Sequence, residues 1–129
     1  MAAQSIVGEK SLAFAKRIAK CYVFLKEKKS ETVMSKQLLR CGTSIGANVR
    51  EGQYAQSKKD FISKMNIALK EAGDTDYWLE VIHSAGYFTD EEYSSLDADN
   101  KELLRLLAAI VKTSKEKLLF TFHYSLFTA

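Results

Sequence analysis

Residues 31–54 read ETVMSKQLLRCGTSIGANVREGQY, and their spacing decides the fold. Met34, Leu38, Cys41, Ile45 and Val49 recur at intervals of three and four, the pattern of one buried face on an α-helix. Ser30, just before the stretch, is expected to cap its first turn. The same stretch holds Gly42, Ser44, Gly46 and Ala47. A glycine inside a soluble helix costs about 1 kcal/mol against alanine. Gly42 and Gly46 stand one turn apart on one face. The expected return is close approach of another backbone, from a neighbouring helix or a neighbouring subunit.

The flanking sequence repeats the pattern. Upstream, from about residue 5 to 29, Phe14, Ile18, Cys21, Tyr22 and Leu25 form an apolar stripe, with Lys10, Lys16, Arg17, Lys20 and Lys28 on the opposite side. Downstream, Ser57-Lys58-Lys59-Asp60 reads as a capping box. It opens a third helix whose stripe runs through Phe61, Met65, Ala68, Ala72, Thr75, Leu79 and Ile82. Gly86 suits the left-handed turn that ends it. Thr89-Asp90-Glu91-Glu92 is a second capping box. It starts a fourth helix, to about residue 119, along Leu96, Leu103, Leu107, Ile110 and Leu118, with Leu104 and Val111 widening the stripe. The polar run from Ser95 to Asn100 is expected to loosen that helix.

The 129 residues include no proline and six glycines, too few turn formers for a sandwich of short strands. The fold class expected is all-α, an antiparallel up-down four-helix bundle over residues 1–119, with an aromatic C-terminal tail at 120–129. The tail, Phe120-Thr121-Phe122-His123-Tyr124-Ser125-Leu126-Phe127, is too apolar to rest in water. Packing against the bundle or a neighbouring subunit is the favoured reading, ahead of stacking on nucleic-acid bases. Cys21 and Cys41 read as buried thiols at similar heights on adjacent helices. A leader-like N-terminus and a run of the ~20 apolar residues that span a bilayer are both missing, so the chain is expected to be cytoplasmic, with no membrane partner.

Charge is distributed unevenly. Residues 1–59 carry twelve Lys and Arg against four Asp and Glu, a balance of +8; residues 60–102 carry three against eleven, a balance of −8. Such a division suits either a polyanion on the basic half or pairing between subunits, and composition does not choose. Catalytic and metal signals are weak. Glu80 and His83 have the Glu-x-x-His spacing of bundle di-iron sites, but no second copy follows. A nucleophile elbow and a phosphate loop are both missing from the sequence, and Glu51, Asp74, Asp76 and Glu80 read as ion-paired or solvated helix faces. No enzyme, metal or cofactor is expected.

The stretch Gln37-Leu38-Leu39-Arg40, followed by Ser44, Ile45, Ala47, Asn48, Glu51 and Gly52, resembles the signature of the four-helix-bundle proteins encoded in 23S rRNA intervening sequences. A second block, Phe61 and then residues 68–79 (ALKEAGDTDYWL), is similar to the same family, with Gly73 and Asp74 as variants. The resemblance covers about residues 8–118 and leaves out the aromatic tail. It implies a bundle that assembles as a ring, typically a homopentamer. The chain is also similar to the accessory variability-determinant proteins of diversity-generating retroelements, which bind nucleic acid and a reverse transcriptase. The expected partners are therefore further copies of the chain, RNA or DNA, and a nucleic-acid enzyme. The expected nucleic-acid contacts are Lys10, Lys16, Arg17, Lys20, Lys28, Arg40, Arg50, Lys58 and Lys59. Gly42, Ser44, Gly46, Asn48, Glu51, Tyr77 and Trp78 are the structural or assembly candidates. A scaffold that binds protein alone is the alternative.

Overall fold

Four helices occupy nearly all of the computed structural model, which describes residues 2–128: α1 (Ala2–Lys29), α2 (Val33–Gln53), α3 (Lys58–Ser84) and α4 (Asp90–Thr128). Met1 and Ala129, the outer limits of the two units expected from sequence, lie outside the described residues. Each helix packs on two others: α1 on α2 and α4, and α3 on α2 and α4. Ion pairs between neighbours run in opposite sequence order, with Arg40 beside Glu71 but Glu51 beside Lys64. α2 and α3 are therefore antiparallel, and the pairs of Lys10 with Glu102 and Arg17 with Asp99 run α1 against α4 in the same way. The stripes meet in one core built around Phe14, Ile18, Leu38, Ile45, Met65, Leu79, Leu103 and Leu107, all almost wholly buried.

The three turns are closed by local chemistry. At α3, Gly86 takes φ +88°, Gly86 N–H bonds to His83 C=O and Tyr87 N–H bonds to Ile82 C=O. These are the two bonds of a Schellman motif, and glycine enters it without a Cβ penalty. At α4 the capping box is reciprocal: Glu92 N–H donates to Thr89 Oγ1, and Thr89 N–H donates to Glu92 Oε1. Ser57 Oγ accepts from Asp60 N–H at α3.

The turn before α2 differs from the sequence expectation. Ser30 is not the cap; it sits at φ +55°, in the left-handed region. The cap is the buried carboxylate of Glu31, which accepts from the N–H groups of Val33, Met34 and Ser35. Burial pushes its pKa up, but the hydrogen bonds from Ser35, Met34 and Val33 outweigh that and hold it below the usual carboxylate range. A glutamate one step outside the cap can reach three orphan donors because its longer side chain folds back over the helix end.

Helix α4 departs from expectation twice. The run from Ser95 to Asn100 does not loosen it, because Asn100 is turned into the core, where Nδ2 donates to the Ala72 carbonyl of α3 at 3.0 Å. Its Oδ1 accepts no bond from the described residues. The helix also continues through the aromatic segment to Thr128 instead of stopping near 119. Lys10 of α1 pairs with Glu102, so eight residues further in each helix brings Ala2 level with Ile110. Val111 is the last buried residue. Beyond it the described residues of α4 are exposed, apart from the half-buried Ser114 and Leu118.

Small residues set the α1–α2 spacing. A Cβ on Gly46 would lie 3.1 Å from the Ser11 carbonyl oxygen, and one on Gly42 would lie 3.0 Å from the Ile18 side chain. Gly73, by contrast, has nothing within 4 Å of that position. Gly46→Val is therefore expected to destabilise the protein by about 1–3 kcal/mol through backbone overlap, and Gly73→Ala to stabilise it by about 0.5–1 kcal/mol through helix propensity, as read from denaturant midpoints. For Glu31 the lowered folded pKa means that its stabilising contribution is present above the ordinary glutamate value of about 4.3 and is lost as pH falls through the lower folded value. Glu31→Ala is expected to cost about 1–2 kcal/mol at pH 7, a difference that shrinks as the solution is acidified below pH 4. Urea melts at three pH values measure it.

Candidate functional site

The cations named from sequence fall into two groups. Three are engaged inside the chain. Lys10 pairs with Glu102 at 3.1 Å, and Arg17 pairs with Asp99 at 2.6 Å while also reaching Ser95. Arg40 bonds to Glu71 at 3.1 Å and lies 3.8 Å from Asp74. Lys16, Lys20, Lys28, Arg50, Lys58 and Lys59 are exposed and have no acidic partner among the described residues. Arg50, Lys58 and Lys59 flank the α2–α3 turn, so they share one end of the bundle. Lys16 and Lys20 stand one turn apart on the outer face of α1, pointing away from the stripe of Phe14 and Ile18.

Intramolecular pairing is a third use of the divided charge; for Glu51, Asp74 and Asp76 it is the ion-paired face expected from sequence. The basic half pairs with the acidic half across helix borders, α1 with α4 and α2 with α3. Lys101 of α4 likewise bridges Asp76 of α3 and Asp97, and its ammonium is held protonated far above the usual range by hydrogen bonds to those two carboxylates. Among the carboxylates of α3, only Asp60 and Glu80 lack a basic partner within the described residues. An ionic seam between α1 of one copy and α3 of the next therefore has few free acids to use. The register that produces these pairs joins residues as many as 92 positions apart, a separation that no periodic pattern reveals.

The structural candidates also resolve one by one. Gly42 and Gly46 face α1 of the same chain. Ser44 Oγ donates to the Arg40 carbonyl and Asn48 Nδ2 to the Ser44 carbonyl, both within α2. Glu51 lies 3.5 Å from Lys64 of α3. Trp78 is half-buried against the core, while Tyr77 is 59% exposed, and their rings meet edge to face at 5.1 Å. Two shallow depressions mark the exterior. One, of about 410 Å³, lies between α1 and α2 over Leu12, Ala15, Gly46 and Ala47, with Arg50 at its side. The other, of about 320 Å³, lies on α3 beside Tyr77, Glu80, Val81 and Ser84.

Reactive side chains are occupied or quenched. His83 stacks flat on Tyr93 at 4.2 Å and its Nε2 lies 2.8 Å from Asp90, which ties the end of α3 to the start of α4. No group of three or more His, Cys, Asp or Glu within the described residues is disposed to hold a metal ion. Both cysteines are free thiols; Cys41 is buried and Cys21 half-buried. Burial, and then the charge of Glu92, push Cys21 up to about 11, and burial raises Cys41 as well. No helix among the described residues is long and apolar enough to cross a membrane.

Geometry of this kind defines a helical-bundle protein with a charged, partly apolar exterior and shallow grooves. The chain belongs to the family of 23S rRNA-intervening sequence proteins, whose model matches residues 3–109. It is similar to a crystal structure of a protein of unknown function from the S23 ribosomal protein family of Bacteroides thetaiotaomicron VPI-5482. The two share 53% identity and a TM-score of 0.84, over 85% of this chain and 98% of that one. No curated protein matches the chain. The family match ends at 109, so the unaccompanied part of α4 lies beyond it.

The thiol environment gives a direct check. A thiol near pKa 11 holds far less thiolate at pH 8 than a free cysteine, so iodoacetamide is expected to label native Cys21 about a hundredfold more slowly than the urea-unfolded chain. Mass spectrometry of the time course reads the ratio.

Proposed function

We propose that this protein is a non-catalytic, self-assembling bundle that binds nucleic acid through its unpaired surface cations. The observation that carries the reading is the separation of the basic residues into two sets. Cations consumed by structure leave Lys16, Lys20, Arg50, Lys58 and Lys59 exposed and without acidic partners among the described residues. Fixed positive charge without local neutralisation is what a phosphate backbone recognises, by releasing condensed counterions. Repetition of such a patch around an assembly turns weak contacts into avidity. Lys28, at the opposite end of α1 from Arg50, extends the patch only when copies are joined.

Assembly has its own support. α1 and α3 occupy opposite corners of the bundle, and each leaves large apolar side chains in water: Leu12 and Val23 on α1, Ile67 and Tyr77 on α3. Unlike surfaces on opposite sides make head-to-tail contacts, which close into a ring when the rotation permits. The family resemblance points to five copies. No base-reading element is present in the bundle, so binding is proposed to follow charge and not sequence.

A fluorescence titration of labelled single-stranded RNA and duplex DNA at 50 and 200 mM salt tests the reading. Affinity is expected to fall steeply with salt, and Lys16→Glu/Lys20→Glu combined with Lys58→Glu/Lys59→Glu to weaken it more than tenfold. Arg17→Ala, which removes a cation already paired, is expected to leave affinity within about twofold. No binding at low salt would instead leave a scaffold for a protein partner, such as a nucleic-acid enzyme.

A further inference from the structure

The last turns of α4, residues 119–128, are exposed on every side among the described residues. From Lys112 to Thr128 the helix projects for about 25 Å beyond the bundle. No glycine or proline interrupts residues 112–128, so the helix has no hinge by which to fold back onto its own core. Leu118 to Thr128 carry no Asp, Glu, Lys or Arg, and Phe120 and Phe127 are 72% and 89% exposed.

The apolar side chains form two stripes, bridged on one side by His123 and parted on the other by a narrow polar strip of Thr121, Ser125 and Thr128. At ~100° per residue, Leu118, Phe122 and Leu126 align on one side, with Leu119 beside them. Phe120, Tyr124 and Phe127 align roughly opposite, and the Phe120 and Tyr124 rings stack at 6.5 Å. Helices that dock in a groove or lie on a lipid surface present one apolar face and keep a polar one for water. Apolar groups over about two thirds of the circumference call for more than one neighbour.

Area identifies the neighbour. Four aromatic side chains that each bury ~150–250 Å² when covered, here more than half exposed, together with the leucines, offer on the order of 600–700 Å². Divided between two contacts, that is on the order of 300–350 Å² per partner at each, less than the ~800 Å² of a stable specific interface, so the tail acts together with the bundle contacts proposed above; the whole still exceeds the patch an isolated protein normally tolerates. Identical uncharged tails meet without repulsion, and bundles standing side by side hold their tails parallel at one level.

We propose that the α4 extension is a self-association helix, in which the Phe122 stripe of one copy packs on the Phe120 stripe of the next. The inference deepens the self-assembly proposed above and rests on it; it is independent of nucleic-acid binding. Each tail then has two neighbours of unlike face, the head-to-tail relation that suits a closed ring. Residues 119–128 are exposed along their whole length, so substitutions there are expected to leave the fold intact.

The test uses the full chain in sedimentation velocity at about 50 μM, with circular dichroism as the folding control. Phe122→Asp/Leu126→Asp and Phe120→Asp/Phe127→Asp are each expected to lower the weight-average mass at least twofold. An equimolar mixture of the two variants is expected to recover a heterodimer, because each retains the stripe that the other lacks. Unchanged mass in both variants, with the wild type still oligomeric, overturns the role of the tail and leaves assembly to the bundle. A monomeric wild type overturns both. Failure of the mixture to recover a dimer overturns the stripe-to-stripe packing. Tail-dependent co-sedimentation with phosphatidylcholine–phosphatidylserine vesicles, alongside unchanged mass, assigns the tail to a lipid surface and sinks the proposal.

Discussion

The backbone of α1 rests against the bare Cα of Gly46, and the rest of the bundle is arranged around that contact. Without a side chain there, the Ser11 carbonyl comes within 3.1 Å of where a Cβ would stand. One turn away, Ile18 closes over Gly42 in the same manner. The spacing of these two helices lets Phe14, Ile18, Leu38 and Ile45 join one continuous core. Each glycine weakens its own helix by about 1 kcal/mol, and the packing it admits has to return more than that. The orientation of α1 also follows. Once its Ser11 and Ile18 face is pressed onto α2, Lys16 and Lys20 have only solvent to face, while Lys10 and Arg17 are carried round to α4.

Electrostatics then sorts what packing has arranged. Neighbouring helices carry opposite charges at matching heights, and the pairs join α1 to α4, α2 to α3 and α3 to α4. Pairs this exposed contribute about 0.2–1 kcal/mol each, so they tune register more than they hold the fold together. Asn100 acts on the same register from inside, by binding the Ala72 carbonyl at a core position where a misaligned helix would strand its amide. The cations left over are a consequence of this sorting. A surface patch is defined here by subtraction: it consists of the lysines that no neighbouring helix claims.

The extension of α4 obeys a different constraint. Within the bundle a helix needs one apolar stripe, because the other side meets water. Beyond Val111 the same helix shows apolar groups on two sides and has no neighbouring helix. The family match stops at residue 109, before this segment.

Helix number, helix phase, the serine cap at Ser57, the capping box at Thr89 and the glycine turn at Gly86 were all written in the sequence, because each depends on residues within one or two turns of one another. The recurrence of Gly42 and Gly46 announced a close contact but not its owner, since any backbone would serve. Ser30 misled because a serine before a helix is usually a cap, whereas here the carboxylate of Glu31 reaches the same donors from one residue later. Asn100 misled because a polar residue in a polar run gives no sign of its inward turn. The division of the basic residues into paired and unpaired sets was settled by tertiary structure alone. Pairing depends on the relative height of helices that meet only after folding, and a sequence records charge without recording what stands across from it.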